Sequence, residues 1–252
     1  MSSLEIGAIV FACTFGGALV GLLLRVVIPD PHLTGDSKDV IKMGTGLLAT
    51  LAALVLGLLI ASAKSSFDSQ RTGLQQMAAN FVVIDRALAK YGPQTRPARE
   101  SLHRLVEKLL EVQSAGTNSA STLGAASITV EAGKFYDQIR ELVPATDSQK
   151  WLQSQALQLA ADFTRTRWLL NEQQGSAIPT PFLVIVVFWL TALFLSFGLF
   201  SAPNPVVIVT LLICALSVAG ALFLIVDLDQ PTAGLIRISS APIQNALSQL
   251  GK

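Results

Sequence analysis

The chain of 252 residues is 51% hydrophobic and only 14% charged, with a mean hydropathy of +0.55. A soluble globular domain carries about 25% charged residues, so a soluble enzyme of ordinary composition and a disordered chain are both excluded. The net charge of +1, from 18 basic and 17 acidic residues, leaves no basic surface of the kind that binds nucleic acid.

The charges leave long gaps. No charged residue lies in the 19 positions between Glu5 and Arg25, the 21 between Lys42 and Lys64, or the 54 between Glu172 and Asp227. A bilayer-spanning helix needs about 20 mostly apolar residues, so these gaps hold one, one and two spans. The first span covers 6–28 and closes at Arg25 and the Pro29-Asp30-Pro31 break. Its start lacks the basic residues of a signal peptide, so it is expected to be a retained helix. After a polar loop at 29–39, the second span covers 40–63. The third covers 182–200 behind Pro179 and Pro181; an uncharged turn with two prolines, 201–205, leads to the fourth, 206–226. The expected fold is an all-α integral membrane protein with spans one and two in 1–63 and a helical cytosolic domain in 64–178. Spans three and four then fill 179–228, and 229–252 forms a C-terminal tail.

Four spans put both termini and the 64–178 segment on one side. That side carries Lys64, Arg71, Arg165, Arg167 and Arg237, against Arg25, Lys38 and Lys42 on the other. The balance favours cytoplasmic termini in a cell membrane, by the tendency of basic residues to stay inside.

In the 64–178 segment Leu74, Met77, Phe81, Ile84, Leu88 and Tyr91 recur at helical spacing, and the first stop after residue 40 is Gly92-Pro93. The second span is therefore expected to continue as one helix of about 50 residues, roughly 75 Å long. A second helix starts near Pro97 with Leu102, Leu105, Val106 and Leu109 on one face. The stretch 114–127, small and uncharged, is expected to be a loop. A short helix follows at 130–143, and a last one begins at Thr146 with a capping-box pattern ending at Gln149. Together these make a four-helix bundle.

The residues do not suggest catalysis. His32 and His103 have no carboxylate or cysteine partners at ligand spacing, and there is no Walker loop, dinucleotide fingerprint or HExxH. Cys13 and Cys214 lie in apolar runs and read as small apolar side chains. No cofactor and no metal site is expected. Gly17 and Gly21 form a small-xxx-small helix-contact motif in span one.

Span two carries the most information. At about 100° per residue, Gly46, Ala49, Ala53, Gly57 and Ala61 share one side, and Leu47, Leu51, Leu54 and Leu58 fall opposite. The small ladder is expected to pack against neighbouring spans of the same bundle. The leucines then point outward, either to lipid or to a pore between subunits, where an apolar constriction gates by dewetting. Lys42 and Lys64 bracket the span nearer the small-residue side and are expected to snorkel to the interfaces. At the exit of span four, Asp227 and Asp229 precede Pro231 and Gly234. Two carboxylates do not make a calcium site, which takes 6–8 oxygens, so helix termination is the expected role.

The run 44–67 carries a likeness to a known family, as do Thr166 to Leu170, Ile178 to Phe182, Trp189, Ser196 to Gly198, and Leu228 to Pro231 with Gly234. Along essentially its whole length the chain resembles the bacterial bestrophin-like domain family, a domain of unknown function set beside the bestrophin channels. The resemblance implies a homo-oligomer, a pentamer in bestrophins, with an axial pore lined by the second span that passes small anions such as chloride. The turn Asp229-Gln230-Pro231 with Gly234 echoes part of the acidic turn after span four in bestrophins. The aromatic neck residues and acidic calcium clasp of animal bestrophins are missing. The alternative expectation is a non-conducting membrane scaffold or signalling protein whose cytosolic bundle docks a partner.

Overall fold

In the computed structural model the described residues are 2–27, 35–115, 121–172, 178–229 and 235–251. Among them the chain forms eight α-helices and no strand. These are α1 (Ser3–Val27), α2 (Gly35–Tyr91), α3 (Arg96–Ala115), α4 (Ser121–Arg140), α5 (Asp147–Glu172), α6 (Thr180–Phe200), α7 (Pro205–Asp229) and α8 (Ala241–Gln249). Four of them, α1, α2, α6 and α7, are long and apolar enough to cross a membrane. The polar loop expected at 29–39 is shorter than that, because α2 already begins at Gly35; His32 lies outside the described residues.

The chain divides into two compact units, Met1–Phe67 with Ser176–Gln230, and Asp68–Gly175 with Pro231–Lys252. In the first unit α1 lies against α6 and α7. The close approach of α1 and α6 follows from glycines on both sides. A Cβ at Gly21 would meet the Leu195 carbonyl oxygen, and one at Gly198 would meet the Ala18 carbonyl oxygen. Ala18, Leu22 and Phe194 close over this contact together with Leu211 and Ala215 of α7. Thr14 is fully buried in α1, and its hydroxyl donates to the Val10 carbonyl at 2.8 Å, so that hydroxyl is not left bare in the apolar interior.

The second unit contains residues 68–91 of α2 with α3, α4, α5 and α8. Phe81, Ile84, Leu88, Leu102, Leu105, Ile139 and Ile243 form its fully buried centre, and the Phe81 and Phe163 rings sit 5.2 Å apart. The expected stop of α2 is observed. Gly92 adopts φ of +134°, which L side chains rarely reach. The Thr95 hydroxyl then holds the last carbonyls, 2.6 Å from Leu88 O and 2.8 Å from Gly92 O. At the start of α5, Thr146 Oγ1 accepts from the Gln149 N–H at 3.2 Å, while Gln149 Oε1 accepts from the Ala145 N–H at 2.8 Å. The capping box is therefore present with its return bond one residue early.

Three expectations are corrected here. The helix expected at 130–143 is α4, which starts at Ser121; the stretch 121–129 has no proline to stop it, and Ile128 anchors it in the core. The tail 229–252 holds the ordered helix α8, whose Ile243, Ala246 and Leu250 are buried in the second unit. That unit is thus a five-helix assembly rather than a four-helix bundle.

Two buried carboxylates tie it together. Asp85, 4% exposed, receives both Arg99 Nε at 2.7 Å and Arg99 Nη2 at 2.9 Å, and the Gly251 N–H at 3.1 Å. The hydrogen bond that Arg99 donates to the Asp85 carboxylate raises the Arg99 pKa above its ordinary value. Glu131 of α4 receives Arg104 Nε at 3.1 Å and Lys108 Nζ at 3.2 Å from α3. Burial pushes its carboxyl up, but the hydrogen bonds from Arg104 and Lys108 and the charges of Lys108 and Lys134 outweigh it, so the group stays below the usual range.

Candidate functional site

Helix α2 presents three distinct faces within the first unit. Ala52, Leu59 and Ala63 are buried, and Thr45, Leu48, Val55 and Leu56 are half-buried beside them; these positions recur at three- and four-residue spacing. The rotation is fixed by a polar contact: the Thr45 hydroxyl donates to Ile41 O at 2.7 Å and lies 3.0 Å from the Ser196 hydroxyl of α6. With the Thr45 proton directed to its own helix, Ser196 is the donor between helices.

The small-residue ladder is not that face. Gly46, Ala49, Ala53, Gly57 and Ala61 are all exposed, and a Cβ at Gly46 or Gly57 would meet nothing within 4 Å. The expectation that the ladder packs into the chain's own bundle is therefore corrected. The packed stripe lies about one residue, or 100°, around the helix. The neighbouring helices offer Val186, Leu190, Leu222 and Ile225, whose bulk is met by Leu48, Val55 and Leu59 rather than by a ladder of glycines. By contrast, Gly17 and Gly21 of α1 do lie at a helix contact; a Cβ at Gly17 would come 2.9 Å from the Thr191 carbonyl oxygen.

The leucine stripe is open as expected, with Leu47 63%, Leu54 66% and Leu58 64% exposed, and Leu51 less so at 38%. The point opposite the packed face lies within about 30° of Thr50, Leu54 and Ala61. Leu47 and Leu58 sit further round, and Leu51 lies on the flank, which accounts for its lower exposure. The unpacked arc of α2 thus joins the leucine stripe to the small ladder. At its two ends stand Lys42 and Lys64, the latter 5.9 Å from the centre of the Phe67 ring.

At the end of α7 Asp227 is fully buried and Asp229 is 6% exposed. Asp227 Oδ1 accepts from the Ser3 hydroxyl at 2.8 Å, which joins the first turn of α1 to the last turn of α7. No sequence signal linked Ser3 to a residue 224 positions away. Pro231 and Gly234, expected to fix the following turn, lie outside the described residues. Among the described residues no three His, Cys, Asp or Glu side chains converge as metal ligands. His103 faces Glu107 at 3.4 Å on the exposed side of α3, and Cys214 is exposed on α7.

Four apolar helices of spanning length, each leaving large apolar side chains exposed, define a multi-pass membrane protein. The family model described as Bestrophin-like domain matches residues 12–243, and the chain belongs to that family. Among curated proteins and solved structures, no match to the chain is found.

Proposed function

We propose that the protein is a homo-oligomeric ion channel, anion-conducting, in which copies of α2 surround an axial pore. The observation that supports this most directly is the unpacked arc of α2. In its own unit the helix buries Ala52, Leu59 and Ala63 and leaves Leu54 66% exposed on the other side. In a closed ring, the packed face of each α2 turns outward to its own bundle and the opposite arc turns to the axis. Leu54 then forms the narrowest ring, Leu47 and Leu58 continue the apolar wall, and Leu51 lies at the flank. A ring of leucines excludes water when narrow, so small changes in helix spacing switch conduction by wetting and dewetting.

Anion preference and a five-fold ring are the family's contribution to this reading. The cell-membrane location with cytoplasmic termini, and a cytosolic position for the second unit, rest on the lysine and arginine balance. The reading is tested with the purified chain in planar bilayers: unitary currents in a chloride gradient, and a larger conductance for Leu54→Ala, are the expected results. Silence in both chloride and sodium gradients, for a preparation whose mass shows a ring, refutes conduction. That result leaves the scaffold reading, in which the second unit docks a partner.

A further inference from the structure

Where α2 begins and α6 ends, an open groove of about 530 Å³ lies between the two helices. Its size is that of small-ligand sites, about 300–1,000 Å³. One wall is Phe197 and Phe200 of α6; the other is Gly46 and Ala49 of α2, where the missing side chains leave the space empty. The floor is the Thr45–Ser196 pair, whose two protons go to Ile41 O and to Thr45. The floor therefore holds no unsatisfied donor that demands a polar occupant, and the walls are apolar. The rim is different. Lys42 stands one turn before Gly46, with Ser201 across from it at the end of α6. Among the described residues the Lys42 ammonium makes no ion pair or hydrogen bond, and the turn 201–204 carries no charge to neutralise it.

We propose that this groove binds one anionic phospholipid, with an acyl chain between Phe197, Phe200 and Gly46 and the phosphate on Lys42. A cation that makes no ion pair among the described residues, at a membrane boundary above an apolar slot, is complementary to a headgroup of net negative charge joined to a chain. A zwitterionic lipid fills the slot equally well but brings its own ammonium to Lys42. The site stands on the first unit alone and holds whether or not the assembly conducts.

The test is native mass spectrometry of the full-length protein in detergent, titrated with phosphatidylglycerol and phosphatidylcholine of matched chains. One tightly held lipid per chain is expected, with phosphatidylglycerol favoured about fivefold, the equivalent of one basic contact. Lys42→Gln is expected to abolish the preference while either lipid still binds. Gly46→Leu, which fills the slot from an open position, is expected to lose both lipids. Lys42 is exposed, so the first variant stands even if the second fails to fold. Equal binding of the two lipids to the wild type, an unchanged preference in Lys42→Gln, or displacement of the lipid by inorganic phosphate would each overturn the proposal. So would a groove that holds no lipid but whose Gly46→Leu variant changes the oligomer mass, because a second copy of the chain then occupies it.

Discussion

Replacing Gly21 by alanine sets helix propensity against packing, and the structure says which prevails. In a helix interior alanine is favoured over glycine by about 1 kcal/mol, so propensity alone has Gly21→Ala stabilise α1. The Cβ at this position, however, would meet the Leu195 carbonyl oxygen and lie 2.9 Å from Leu199 N. The second distance alone is about 0.5 Å inside ordinary van der Waals contact. Both obstructing atoms are α6 backbone, which cannot rotate aside as a side chain does. The helices must part, and Gly198, which meets Ala18 and Leu22 backbone from the other side, parts with them. Ala18, Leu22 and Phe194, all nearly or fully buried, then lose close packing. Overpacking of this kind costs about 1–3 kcal/mol, and for a chain of this size 2 kcal/mol corresponds to roughly 4–8 °C in melting temperature. The control is Gly16→Ala, five residues earlier in the same helix, where a Cβ meets nothing within 4 Å. Thermal unfolding of the purified protein in detergent is expected to show Gly21→Ala lower by several degrees and Gly16→Ala equal or higher. Equal melting of the two variants would refute the close α1–α6 contact.

Glu131→Gln removes the acceptor of Arg104 and Lys108, at a cost of about 1–2 kcal/mol at neutral pH, since the two cations are partly solvated. Because the folded state holds Glu131 below its ordinary value of 4.5, its contribution is present above that pH and is lost as pH falls through the folded value. Melting curves of wild type and variant are expected to differ at pH 7 and to converge as pH falls below 4.5 and through the lowered folded-state value; a pH-independent difference would show that the charge is not responsible. Asp85→Asn weakens the clasp on Arg99 and on the Gly251 N–H, by about 1.5–3 kcal/mol. Amide exchange in α8 is expected to accelerate at least tenfold; unchanged exchange would mean that Ile243, Ala246 and Leu250 hold the helix alone.

The four apolar helices were legible in the sequence because bilayer thickness sets their length and charge is excluded from it. The end of α2 was legible too, since Gly92-Pro93 is a local signal and the Thr95 cap completes it locally. The spacing of Ile243, Ala246 and Leu250 was also present to be read, but nine residues of helix carry no signal that separates a docked element from a tail. The rotation of α2 was a different matter. Its apolar surface runs all round the span, so periodicity admits several faces, and the ladder of small residues and the packed stripe lie only one residue apart. Likewise, nothing in the order of residues joins Ser3 to Asp227 or sets Phe197 beside Gly46. What the amino-acid order determined by itself is a four-span, all-helical class, because hydrophobic length and helix stops act over neighbouring residues. Which face of α2 is buried, which is open, and where a groove remains beside Lys42 were decided only in the tertiary structure, because close packing depends on the shapes of helices far apart in the chain.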